Sequence, residues 1–192
     1  MDYNDVQERL RKIYSSIGEQ YSYGHGALEL THSEQADNQI SISFLNPNDE
    51  PIVVNRINSI ISNLANIKDC LKKKLKDRGD DSQIIEDEVN SSLYLQLILD
   101  LSNQEKHGYP LTETRRSKKD PLIKNVGRAL SPSNKPDNIR YELSDGSAMM
   151  NVMVIITADV TDSKGNLLCR LDELIGNAQK AWEQIIKKYN IA

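Results

Sequence analysis

Gln96, Asp100, Asn103 and His107 are separated by 4, 3 and 4 residues in an otherwise leucine-rich segment, the spacing that stacks side chains along one face of a helix. Histidine titrates near neutrality, so His107 is the natural general acid or base of such a stripe, with Asp100 and Asn103 as orienting groups. Distance limits the pairing. Asp100 and His107 lie about 10 Å apart along a helix axis at 1.5 Å per residue, so Asn103 can reach one or the other. The same stripe has a structural reading, in which its polar groups fix the end of the helix against the following loop by side-chain to backbone hydrogen bonds, because buried polar groups are normally paired.

The run Asp100, Asn103, Lys106, His107 resembles the end of a helix in bacterial proteins of the HEPN-like fold. What that resemblance implies is metal-independent RNA cleavage on a helix in a dimeric cleft, by an arginine and a histidine with four to six residues between them. Positions 100 to 102 here are Asp, Leu and Ser. The arginine would therefore come from Arg115 or Arg116, folding back over the helix end.

From Lys106 to Lys135 there are eight Lys or Arg and only two acidic residues, Glu113 and Asp120. Phosphate is the chemistry that matches such a stretch, since lysine and arginine release counterions from nucleic acid without any sequence code. Lys106, Arg115, Arg116, Lys118 and Lys119 are the candidate contacts. Tyr109 is the single ring available for stacking there, so the aromatic interleaving of single-strand binders is missing, and a solvated loop is the competing expectation.

Other chemistries lack their motifs. His25 and His32, with Glu29 and Glu34 nearby, fit no zinc or calcium pattern, and no phosphate loop, dinucleotide fingerprint or nucleophile elbow occurs. No metal or cofactor is expected. Tyr21, Tyr23, Gly24, His25 and Gly26 form a polar-aromatic turn, read as packing over a sheet. Cys70 and Cys169 form no C-x-x-C and read as free thiols of a reducing compartment. The charged start and the absence of an apolar run near 20 residues predict a cytoplasmic protein without a membrane partner. A net charge of -4 over 192 residues disfavours a surface that binds nucleic acid everywhere, though not a local basic patch.

The elements that must position these residues follow from periodicity. Val6, Leu10, Ile13 and Ile17 mark a helix over 2 to 17, and the alternating runs 27 to 31 and 39 to 44 mark a hairpin. Val53, Ile57, Ile60, Ile61, Leu64, Ile67, Leu71 and Leu75 predict a long helix over 52 to 77, capped at Gly79. Ile57, Leu64 and Leu71, with Ile60 and Ile67 between, form a seam suited to an intramolecular or a subunit contact. The acidic residues at 80, 81 and 86 to 88 complement the dipole of the next helix. Residues 83 to 107 lack Gly and Pro and predict one helix, antiparallel to the first. Residues 108 to 138 read as a long basic, proline-containing loop, with a short helical patch at Leu122, Ile123, Val126 and Leu130. Strands at 139 to 143, 149 to 160 and 167 to 170 and a final helix from Leu171 complete the chain, the last two strands joined by a turn at Asp162 to Asn166. The expected fold is a single α+β domain over 1 to 192, a long antiparallel helical hairpin and flanking helices packed with a small antiparallel sheet. Amphipathic helix in excess of any catalytic set predicts a non-catalytic interaction protein that binds a protein partner or itself. An RNA-directed enzyme or RNA-binding protein using His107 and the basic loop is the alternative.

Overall fold

A computed structural model describes residues 29–32, 40–43, 50–107, 116–132, 141–142, 148–149 and 152–191. The helix expected over 2 to 17 and the tyrosine-rich turn lie outside them. The described elements are β1 (Glu29–His32), β2 (Ile40–Ser43), α1 (Glu50–Asp77), α2 (Gln83–Ser91), α3 (Leu93–His107), β3 (Leu122–Pro132), β4 (Tyr141–Glu142), β5 (Ala148–Met149), β6 (Val152–Thr161), β7 (Leu167–Arg170) and α4 (Leu171–Lys188). The fold is α+β. No helix among the described residues is long and apolar enough to cross a membrane.

Where length suggested one domain, the chain divides into two compact units. One contains 1–18, 54–126 and 157–192, the other 19–53 and 127–156. The second holds a four-stranded sheet of order β2-β1-β5-β4, in which the expected hairpin pairs antiparallel from Glu29 opposite Ser43 to His32 opposite Ile40.

In the first unit the apolar stripe of α1 is buried along its whole length, including Ile57, Leu64, Ile67, Leu71 and Leu75. Each such side chain contributes about 1.5 to 3 kcal/mol relative to leaving it exposed. The heptad-spaced seam is thus consumed inside the chain. α1 ends as its sequence predicts. Gly79 adopts φ +80°, Asp80 donates its N–H to the carbonyl of Leu75, and Gly79 donates to that of Lys76, the paired bonds of a Schellman cap. The Arg78 guanidinium reaches the carbonyls of Tyr189 and Asn190, tying this turn to the end of α4.

Residues 83 to 107 are two helices, contrary to the single helix expected. Ser92 takes an extended conformation, φ -113° and ψ 111°, and donates its N–H to Val89, while its carbonyl accepts from Gln96 to start α3. It is the N-cap of α3, a role serine favours because its hydroxyl can face the first free N–H groups. The antiparallel relation to α1 holds. Ser62 bonds Glu105, and Lys72, ten residues on, bonds Glu86.

The expected long loop also needs correction. Leu122–Pro132 is a strand rather than loop with a helical patch, and it lies beside β6 in a second sheet of order β3-β6-β7. Asn125 supplies the reason a β period was hard to read, since it departs to φ 50° and its side chain bonds Asp159 of β6 at 2.8 Å. β6 and β7 pair antiparallel around the expected turn, where Asp162 accepts from the N–H groups of Lys164 and Asn166 and Gly165 sits at φ +86°. α4 then buries Leu171, Leu174, Ile175, Ala178, Trp182 and Ile185.

Candidate functional site

Asp100 is buried, 1% exposed, and its carboxylate accepts three hydrogen bonds. The N–H of Arg116 reaches Oδ1 at 3.0 Å, and the N–H and hydroxyl of Ser117 reach Oδ2 at 2.9 and 2.6 Å. One turn further, Gln104 donates to the carbonyl of Pro121 at 2.7 Å. These two side chains, four residues apart on α3, stitch residues 116 to 121 along the helix. The segment turns sharply enough to do so because Lys118 and Asp120 both take positive φ. Asp100 therefore fills the structural role foreseen for the stripe.

The arginine held by that latch points its guanidinium at Glu86 on α2, with Nη1 2.8 Å from the carboxylate and 3.3 Å from Asn90 Oδ1. Glu86 also receives Lys72 and, at 3.4 Å, Lys68. Burial alone would raise its pKa. The hydrogen bonds from Lys72 and Arg116, with the charge of Lys68, override that and hold the carboxyl down to about 2.

Beside this cluster lies a pocket of about 90 Å³ between α1, α3 and the latched segment. Asn66, Lys68 and Asp69 line it from α1, Leu99, Ser102, Asn103 and Lys106 from α3, and Arg116 closes it. Ser102 is 1% exposed, and its hydroxyl has no hydrogen-bond partner among the described residues.

The structure brings together two of the five nominated cations, Lys106 and Arg116. Lys118 and Lys119 are exposed on the latched turn, and Arg115 lies outside the described residues. The stripe itself is not one constellation. Asp100 is spent on residues 116 and 117, Gln96 bonds the carbonyl of Asn90, and Asn103 and His107 are exposed. Arg116 does fold back over α3 as the ribonuclease reading requires, but it arrives at Asp100, seven residues from His107. Sequence reasoning missed Lys68, Glu86 and Ser102. The signal for the first was faint: Lys68 directly follows buried Ile67 on the helix that carries the apolar stripe.

A second depression, of about 550 Å³, opens between the α2–α3 break and α4, lined by Glu88, Ser91, Ser92, Leu93, Tyr94, Ala181, Gln184, Ile185 and Lys188. Leu93 is 47% exposed there. Lys188 and Tyr189 bond Glu88, and Tyr94 bonds Glu173 at 2.9 Å, which fixes the walls. The two thiols join neither site, and burial, aided by Glu173 and Asp172, pushes Cys169 up to about 11. No group of three or more His, Cys, Asp or Glu among the described residues is placed to hold a metal ion. Comparison with protein-family models, with curated proteins and with solved structures gives no match.

Proposed function

We propose that the chain is a non-catalytic interaction protein that binds through a helical face, with a second copy of itself as partner. One observation carries the reading: Leu93, a large apolar side chain, stands half exposed at an open groove whose walls are held by hydrogen bonds. An apolar side chain at the mouth of a preformed concavity is a geometry that a partner's anchoring side chain can complete. The groups that sequence reasoning offered for catalysis support it too, because Asp100 is engaged by three donors and stands apart from His107.

Light scattering on the purified chain and on Leu93→Asp tests this, with RNA incubation as a parallel arm. The expected result is a mass that rises above the 21.7 kDa monomer with concentration in the wild type and remains at the monomer value in Leu93→Asp. A wild-type mass fixed at the monomer removes self-association. RNA cleavage that disappears in His107→Ala removes the non-catalytic reading in favour of the HEPN-like ribonuclease.

A further inference from the structure

The pocket between α1 and α3 has features that the groove reading does not use. Three cations, Lys68, Lys106 and Arg116, and one carboxylate, Asp69, line it, while behind them Glu86 accepts from Lys68, Lys72 and Arg116, and Asp100 holds the Arg116 backbone. Asp69 is mostly exposed and 3.7 Å from Lys68, so it neutralises little. Of the residues that line the pocket, Lys68, Lys106 and Arg116 are cationic and Asp69 alone is acidic, so the lining carries net positive charge.

The donors are also prearranged. Arg116 is held at its backbone by Asp100 and at Nη1 by Glu86 and Asn90, which leaves Nη2 and Nε without a bond among the described residues. A guanidinium fixed on one edge presents its other edge as a fork, the geometry that matches two oxygens of one phosphorus. Lys106 carries no ion pair among the described residues, and the amide of Asn103 lies beside it on the same wall. Ser102 adds a buried hydroxyl with no partner among the described residues, where native interiors normally pair such groups with protein or ordered water, so it is open to a ligand oxygen. The volume, about 90 Å³, is room enough for a single tetrahedral oxyanion.

We infer that this pocket is a binding site for one phosphate group, held by Lys68, Lys106 and Arg116 with Ser102 and Asn103 as neutral donors. The inference stands apart from the groove and does not depend on it. The phosphate is either the free ion or the terminal group of a small monoester whose remainder stays in solvent.

Titration of the full chain with inorganic phosphate, followed by backbone amide shifts at constant ionic strength, tests the site. Saturable shifts confined to residues around Lys68, Ser102, Lys106 and Arg116 are expected. Ser102→Ala and Lys106→Ala should each weaken binding by about fivefold, one net hydrogen bond, and Lys106→Arg should restore most of it. Neither replaced side chain has a partner among the described residues, so spectra elsewhere should not move and misfolding is separable from lost binding. A parallel titration with glycerol phosphate assigns the source: equal binding marks an ester terminus, and weaker binding marks the free ion. Non-saturating shifts spread over surface lysines, or undiminished affinity in the Ser102→Ala, Lys106→Ala double variant, would overturn the proposal.

Discussion

Glu86 belongs by sequence to an acidic run at a helix start, where a few tenths of a kcal/mol from the dipole would be its whole contribution. Packed against Lys68, Lys72 and Arg116 it does more, because its carboxyl is held down to about 2 from the usual 4.5. A carboxyl with a depressed folded pKa stabilises the native state above its unfolded value and loses that contribution as pH falls through the folded one. Allowing for partial screening, the amount is on the order of 2 kcal/mol. Glu86→Gln should therefore be less stable than wild type by about that much at pH 7. The gap should close as pH drops from 4.5 towards 2, and urea titrations at a series of pH values would measure it. A gap that does not change with pH would show that shape rather than charge holds the cluster. Asp100 is a sharper case, since its carboxylate satisfies two backbone N–H groups at once. Asp100→Ala leaves both donors without an acceptor and should cost about 2 to 4 kcal/mol, whereas Lys118→Ala and Lys119→Ala, exposed on the same turn, should stay within about 0.5 kcal/mol. Thermal or urea unfolding of the three variants compares them directly.

At the scale of elements, what could be read from the chain is what periodicity and capping encode locally. The apolar stripe from Val53 to Leu75, the cap at Gly79, the turn at Asp162 and the buried face of α4 all follow from neighbours within a few turns. The failures have the same origin. The break at Ser92 falls in Val89-Asn90-Ser91-Ser92, weak helix formers whose signal is masked by the apolar runs on either side, and β3 is disguised by Asn125, whose left-handed backbone is stabilised by Asp159, distant in sequence. The pocket was half legible for this reason. Its basic residues Lys106 and Arg116 stand out in a local count, whereas Lys68 and Glu86 join them only through the antiparallel return of the helices. Two capping changes test the assignment. Gly79→Ala should cost about 1 kcal/mol from backbone strain alone, because open space surrounds the position. Ser92→Ala should cost about 0.5 to 1 kcal/mol as a lost N-cap, a modest figure because its hydroxyl lies 3.5 Å from the Leu95 N–H. If residues 83 to 107 were one continuous helix, alanine at 92 would stabilise it instead.

Over the whole molecule, net charge disappears in a pH range where Glu86 is still ionised, so association can be followed there with the Glu86 cluster intact. The net charge of -4 at pH 7 falls towards zero near the isoelectric point of about 5.5, where mutual repulsion between copies disappears. Glu86, which ties α2 to α1 and to Arg116, keeps its charge until far lower pH. Chains at pH 5.5 therefore meet with the Glu86 ion pairs in place and little net repulsion. If the groove at Leu93 is the contact, the wild type should form a species of fixed stoichiometry at lower protein concentration at pH 5.5 than at pH 7, and Leu93→Asp should remain monomeric at both. Charge-neutral precipitation behaves differently, growing without a limiting mass and affecting both proteins alike. Light scattering across this pH range separates the two, and an open-ended rise shared by wild type and Leu93→Asp would remove the groove from the account of self-association.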